Sequence, residues 1–294
     1  MRLSTSTCIF FNRPDGSKIP ITQCIRECRN AGFEVMDMNF HDASVFKTDF
    51  VGDNWERYID EIGQTANIVG VEFSQGHSHF YNFTEDKAEN EYLETLVRRG
   101  IIASQRLGIP YLVIHAATDF SSLYGYKDSK RKNVEYFSHL LEFAGNHCVN
   151  LAIENLWELN VSPRRRYTSN TEELLDLVEI LDFDNVSICW DVEHSKLMEQ
   201  DLKENLKLVE SYLSCTHISD YVTKTFDHIL PFSGISDWDL VIDAFASIIY
   251  EGDFTLEVHR PTLLTPLALV PPLLRYSHEV GTYLVNEIQR RKHG

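Results

Sequence analysis

The chain has 294 residues, 43% of them hydrophobic, enough to bury the core of one barrel domain or of two smaller domains. Its 44 acidic and 27 basic residues leave a formal charge of −17, which repels polyanions and argues against general nucleic-acid binding. Six cysteines at positions 8, 24, 28, 148, 189 and 215 show no CxxC spacing, and no basic-then-apolar leader opens the chain, so a reduced, cytoplasmic protein is expected.

In chain order, strand-length apolar runs alternate with charged segments of helical period. STSTCIFF (4–11) precedes a helix at 22–31, FEVMDMNF (33–40) one at 55–66, NIVGVEF (67–73) one at 85–107, and YLVIHA (111–116) one at 130–148. LAIEN, ending around Glu154, precedes a helix at 171–181, VSICWDVEH one at 202–212, LSCTHISD one at 238–250, and FTLEVH a last one near 276–291. No Ser/Gly linker divides them, so the expectation is an α/β fold of one domain over 1–294, a (β/α)8 TIM barrel. Thr171 and either Ser236 or Asp237 stand where a helix N-cap is needed, and Gly32, Gly108 and Gly252 where a left-handed residue would close a helix. The run LLTPLALVPPLL is too short and too broken by proline to span a membrane; it suits covering part of the barrel or packing on another subunit, so a homo-oligomer is open. Cys24 and Cys28, one turn apart, read as small core-facing residues.

The last four strands each end in a metal-capable residue: Glu154, Asp191, His217 and Glu257. Three carboxylates and one imidazole form a hard O/N set suited to one divalent ion, Mn²⁺, Mg²⁺, Co²⁺ or Zn²⁺, with positions left for substrate oxygens. Taken singly, a strand-end acid can cap the next helix and a histidine can be a hydrogen-bonded core residue. Four at successive carboxyl ends, the rim that carries active sites in this fold, point to a shared centre. No GxGxxG, GxxxxGK[ST] or GxSxG sequence indicates a nucleotide cofactor or a serine nucleophile. Phe11, Phe40, Phe73, Trp157 and Trp190 near strand ends could stack on a sugar, though core packing is their simpler role. The basic run Arg164, Arg165, Arg166 is either a solvated loop or an anion contact.

The IEN, CWDVEHS, THISD and LEVH segments, with DHILPFSGISDW beside a loop often written DHLPPGEGxxDW, resemble the xylose isomerase-like barrel superfamily. That group contains ketose 3-epimerases, hydroxypyruvate isomerase, inosose and 3-dehydroshikimate dehydratases, and endonuclease IV. The resemblance implies a metal-dependent isomerase or epimerase of a small sugar or other polyhydroxylated carbonyl compound. Glu154, Asp191, His217 and Glu257 would hold the ion, and Glu154 and Glu257 would also move protons through an enediolate. His194 would bind substrate; Glu158, His115, Lys224 and Arg260 are further candidates for that role.

Three rivals remain. A dehydratase needs the same metal and base plus an acid for the leaving hydroxyl, and a barrel that binds carbohydrate or a partner could retain the ligands without catalysis. An endonuclease IV-like multinuclear zinc phosphodiesterase would recruit additional ligands from His77, His79, His115, His194 and His228. Against the last, the nuclease pattern has an aspartate two residues before His228, where this chain has Phe226 with Asp227 displaced by one, and basic clusters are few.

Overall fold

Eight parallel strands follow one another around the sheet: β1 (Leu3–Ser6), β2 (Val35–Asn39), β3 (Glu72–His77), β4 (Tyr111–His115), β5 (Asn150–Glu154), β6 (Val186–Asp191), β7 (Leu213–His217) and β8 (Phe254–Leu256). This computed structural model describes residues 1–10, 13, 17–122, 125–158, 165–263 and 265–294. Strands β1 to β7 pair in sequence order and β8 pairs with β1. Ile218, just beyond β7, closes the ring: its N–H donates to Thr255 O at 2.9 Å, and its carbonyl accepts from Glu257 N–H at 3.0 Å. The result is the expected (β/α)8 barrel.

The helices are α1 (Ile21–Ala31), α2 (Phe40–Val45), α3 (Trp55–Val69), α4 (Asn90–Leu107), α5 (Gly125–Asn146), α6 (Thr171–Leu181), α7 (Val192–Leu197), α8 (Leu202–Val209), α9 (Trp238–Ala246) and α10 (Val270–His293). Their apolar faces pack on the barrel; Cys24, Ile25 and Cys28 of α1, for example, are fully buried. No helix among the described residues is long and apolar enough to cross a membrane.

Several boundaries differ from the sequence expectation. The third strand is not 67–73: residues 67–69 finish α3, which Gly70 closes with φ 72°, and the strand is Glu72–His77. Ser74, Gln75 and Gly76 make it too polar to read as an apolar run. The first strand stops at Ser6 and continues as a 3-10 turn, Thr7–Phe10; Phe11 lies outside the described residues. Asn170 rather than Thr171 caps α6, Asp237 caps α9, and Gly252 does not adopt the left-handed conformation of Gly32 and Gly108. α10 starts six residues before the expected 276, with two prolines in its first turn, where a missing N–H costs little. From the same apolar run Val270 and Leu274 are buried on the barrel, while Leu267 and Leu269 are exposed.

The barrel interior is divided. On the β4–β7 side Val113, Ala152, Cys189 and Cys215 form a small apolar cluster. On the β8–β3 side a polar ladder runs beneath the rim: Ser6 Oγ donates to Asp37 Oδ1 at 2.9 Å, Gln75 Nε2 to Asp37 Oδ2 at 3.2 Å, and Thr255 Oγ1 to Gln75 Oε1 at 3.2 Å. Buried polar groups satisfied in this way rigidify the floor of any site above them.

Candidate metal centre and active site

Register levels the strand ends. His115 pairs with Glu154 and Asp191 with His217, while His77 ends β3 and Glu257 directly follows β8. Glu154, Asp191 and His217 are fully buried and Glu257 is 5% exposed. One donor atom from each of the four lies within 4.8 Å of the others. His217 Nδ1 stands 3.0 Å from Glu154 Oε1 and 3.2 Å from Glu257 Oε2.

Burial opposes ionisation at all three acids, but the outcome differs. At Glu154 the imidazoles of His217 and His115 outweigh burial and hold the carboxyl well below its usual range. At Glu257 His217 does the same, to about 2. At Asp191 burial wins over His194, and neighbouring Glu154 adds to it, pushing the carboxyl up to about 7. Asp191 Oδ2 and His217 Nε2 have no hydrogen-bond partner. A buried set of three carboxylates around one imidazole, with an unpartnered carboxylate oxygen, is short of positive charge, and a divalent cation fits it in charge and donor type.

Two supporting residues escaped the sequence reading. Asn155 fixes Asp191 through both backbone groups, its Oδ1 accepting from Asp191 N–H at 2.6 Å and its Nδ2 donating to Asp191 O at 2.9 Å. Asp37 Oδ2 lies 3.8 Å from His217 Nε2, the ring nitrogen other than the one beside Glu154 and Glu257. An acid flanked on both sides by methionine, deep in the apolar FEVMDMNF segment, was the available signal for Asp37. Asp191 Oδ1 also accepts from His194 N–H at 2.7 Å, capping α7, so the short helix holds the carboxylate's second oxygen toward the centre.

Among the extra histidine candidates, His77 and His115 converge. Their Nε2 atoms are 3.2 Å apart and lie 3.4 and 2.8 Å from Glu154 Oε2. His79 is buried beside His41, ring centroids 5.2 Å apart, and belongs to none of the clusters of three or more donors among the described residues. His194 Nδ1 is 2.8 Å from Asn155 O and 3.5 Å from Glu154 Oε1. His228 Nδ1 lies 2.9 Å from Glu193 Oε1.

The polar loop candidates are more dispersed. Lys224 Nζ donates to Glu158 O at 3.3 Å, and Glu158 is 3.9 Å from Arg166. Arg260 is held by Asp227 at 2.5 Å and lies 5.4 Å over the Phe226 ring, so its charge serves the β7–α9 loop. Arg165 pairs with Glu173; Arg164 is outside the described residues. Arg166 lines a cavity of about 270 Å³ with Phe80, His115 and Leu156, next to the rim. Phe40, Phe73 and Trp190 are core residues, while Trp157 reaches within 6.3 Å of the His194 ring.

The sequence pattern of the family described as xylose isomerase-like TIM barrel matches residues 25–281, and the chain belongs to that family. It is 25% identical over 232 residues to the uncharacterized protein y4fM of Sinorhizobium fredii, covering 76% of this chain and 67% of that protein. Its fold is similar to that of a D-tagatose 3-epimerase-like protein, at 16% identity and TM-score 0.75, covering 99% of both chains. It is likewise similar to IolI, crystallised with a bound zinc atom, at 17% identity and TM-score 0.77, covering 98% of this chain and 99% of that one. The 3-keto-D-glucoside 4-epimerase YcjR of E. coli matches at 16% identity and TM-score 0.73, over 96% of this chain and 99% of that one.

Proposed function

We propose that the protein is a single-domain, divalent-metal-dependent isomerase or epimerase of a small sugar or related polyhydroxylated carbonyl compound. The observation that carries this reading is the buried convergence of Glu154, Asp191, His217 and Glu257 at the carboxyl rim. The sugar epimerases among the similar folds support the substrate class. These four residues would hold the ion, which supplies Lewis acidity at a carbonyl and its neighbouring hydroxyl.

The proton chemistry belongs to the chain. Glu154 and Glu257 come from β5 and from the end of β8, and both stay ionised and ready to accept a proton. One takes the proton from the carbon beside the carbonyl; the C–H electron pair forms the carbon–carbon double bond as the carbonyl pair moves to oxygen, giving an enediolate. Return of a proton from the other face inverts that carbon, and return at the neighbouring carbon moves the carbonyl. His194, tethered to Asn155, stands beside Glu154 as a substrate-oxygen contact.

The test is incubation of ketoses, inososes and 3-dehydroshikimate with the Mn²⁺-loaded protein in deuterated water. Isomerases and epimerases put deuterium on carbon, and Glu154→Gln or Glu257→Gln should lower that exchange by about 10²–10⁴. Wild-type exchange in both variants would overturn the acid/base roles, and an unsaturated carbonyl product would mark a dehydratase instead.

The tight His77–His115–Glu154 grouping favours one second reading, a multinuclear phosphodiesterase. The position of the nuclease pattern's aspartate weighs against it. Phe226 is exposed and packs under Arg260, and Asp227 is spent on the same arginine. Hydrolysis of abasic DNA, absent from the first reading, would decide for it.

A further inference from the structure

Glu257 presents its two oxygens to different neighbours. Oε2 lies 3.2 Å from His217 Nδ1 in the four-residue centre, and Oε1 lies 3.9 Å from His259 Nε2. Beyond His259 lies His228, the two rings 4.7 Å apart at 25°, and one donor atom from each of His228, Glu257 and His259 lies within 4.8 Å of the others.

The surroundings orient His228. Glu193, fully buried, accepts from His228 N–H at 2.8 Å through Oε2 and holds the ring's Nδ1 at 2.9 Å through Oε1. A carboxylate on one imidazole nitrogen fixes the tautomer and leaves the other lone pair as a ligand, the usual arrangement behind a metal-bound histidine. His228 also adopts φ 49°, a left-handed conformation that costs about 1 kcal/mol or more in a non-glycine residue. Its carbonyl is pinned there by His259 N–H at 3.0 Å and Arg260 N–H at 3.3 Å. One backbone pairing therefore sets both histidines beside Glu257.

We propose that His228, His259 and Glu257 form a second divalent-metal site, bridged to the first through the two oxygens of Glu257 and selective for an imidazole-preferring ion such as Zn²⁺ or Co²⁺. Two imidazoles and one carboxylate with open positions suit those ions, whereas the oxygen-rich first site also accepts Mn²⁺ and Mg²⁺. The inference rests on the reading of Glu257 as a ligand, but its remaining donors are separate from those of the first centre. Glu193 is a positioning residue.

The experiment is metal analysis after equilibrium dialysis of the full chain against Mn²⁺ alone or Zn²⁺ alone, comparing wild type, His259→Gln and Asp191→Asn. His259 is on the rim with its side chain 32% exposed, so the substitution leaves the core intact; a circular dichroism melt verifies this. His259→Gln should bind one Zn²⁺ fewer than wild type and as much Mn²⁺, and its Co²⁺ form should lose one component of the visible spectrum. Glu193→Gln should weaken the same Zn²⁺ equivalent by about 10–100-fold. An unchanged Zn²⁺ count and affinity in folded His259→Gln overturns the second site. If Asp191→Asn leaves Mn²⁺ binding intact while the His259-dependent Zn²⁺ persists, the four-residue centre fails and the second site stands.

Discussion

Asp191 gives the sharpest test of the metal centre because the chelated protein and the loaded protein should respond to its loss with opposite signs. Its carboxyl is fully buried and raised from 3.8 to about 7, chiefly by burial. The folded state therefore holds the proton more tightly than the unfolded chain, so metal-free stability falls as pH rises from about 4 to about 7 and stays low above that. At about 1.4 kcal/mol per pH unit, that interval corresponds to a ceiling of ~4 kcal/mol. Neighbouring His194 and Glu154 share the titration, which leaves ~2–4 kcal/mol. Asp191→Asn removes this penalty while its Oδ1 still accepts from His194 N–H and caps α7. For a chain of this length an unfolding entropy of about 0.6 kcal/mol/K converts the gain into ~3–6 °C. Calorimetry in chelator should thus find the variant more stable than wild type at pH 8 and level with it at pH 4. Added Mn²⁺ at a thousandfold excess over Kd should stabilise wild type by ~4 kcal/mol and the variant by much less, inverting the order. A variant less stable than wild type at pH 8 in chelator, or stabilised as much by Mn²⁺, would refute the reasoning.

Two other substitutions probe the supports. Asp37→Ala takes away the carboxylate facing His217 Nε2 and the acceptor for Ser6 and Gln75, and should weaken Mn²⁺ binding by about 10–100-fold in titration calorimetry; unchanged affinity would remove Asp37 from the centre. Asp220 is fully buried and accepts from Tyr221 N–H at 2.8 Å, Gly234 N–H at 2.9 Å, Ser236 N–H at 3.1 Å and Trp238 Nε1–H at 3.1 Å, fastening the loop that carries His228. Asp220→Ala should cost ~3 kcal/mol in urea unfolding and open residues 221–236 to proteolysis, and a wild-type midpoint would show that the loop is held by other contacts.

The barrel was legible because its strands are buried on both faces and read as apolar runs, and because helix ends carry their own punctuation. Where a strand breaks that rule the reading slipped: Glu72–His77, with Ser74, Gln75 and Gly76, was displaced into the apolar end of α3. The four central residues were visible since each is a polar residue at the end of an apolar run. His259 was overlooked two residues after Glu257, and Glu193 two residues after Asp191, because in each segment a stronger candidate stood first. Spacing along the chain also could not show that Arg260 belongs to Asp227, a pairing made by folding the β7–α9 loop over the end of β8.

The rim has an order that no single motif contains. Glu154 turns Oε1 to His217 and Oε2 to His115 and His77, while Glu257 turns Oε2 to His217 and Oε1 to His259. Each glutamate is thus shared between the central centre and a flanking histidine pair. A carboxylate accepts a substrate proton only through an oxygen that no cation has claimed. Occupation of a flanking pair therefore competes directly with proton transfer at the glutamate it shares. Isomerisation by the proposed proton transfer would need at least one free oxygen on each of Glu154 and Glu257, whereas phosphodiester hydrolysis would need neither glutamate as a base and would gain from clustered cations. On the proposed reading the same strand ends would serve either chemistry, and the number of ions held at the flanks, rather than the identity of the four central residues, would select between them.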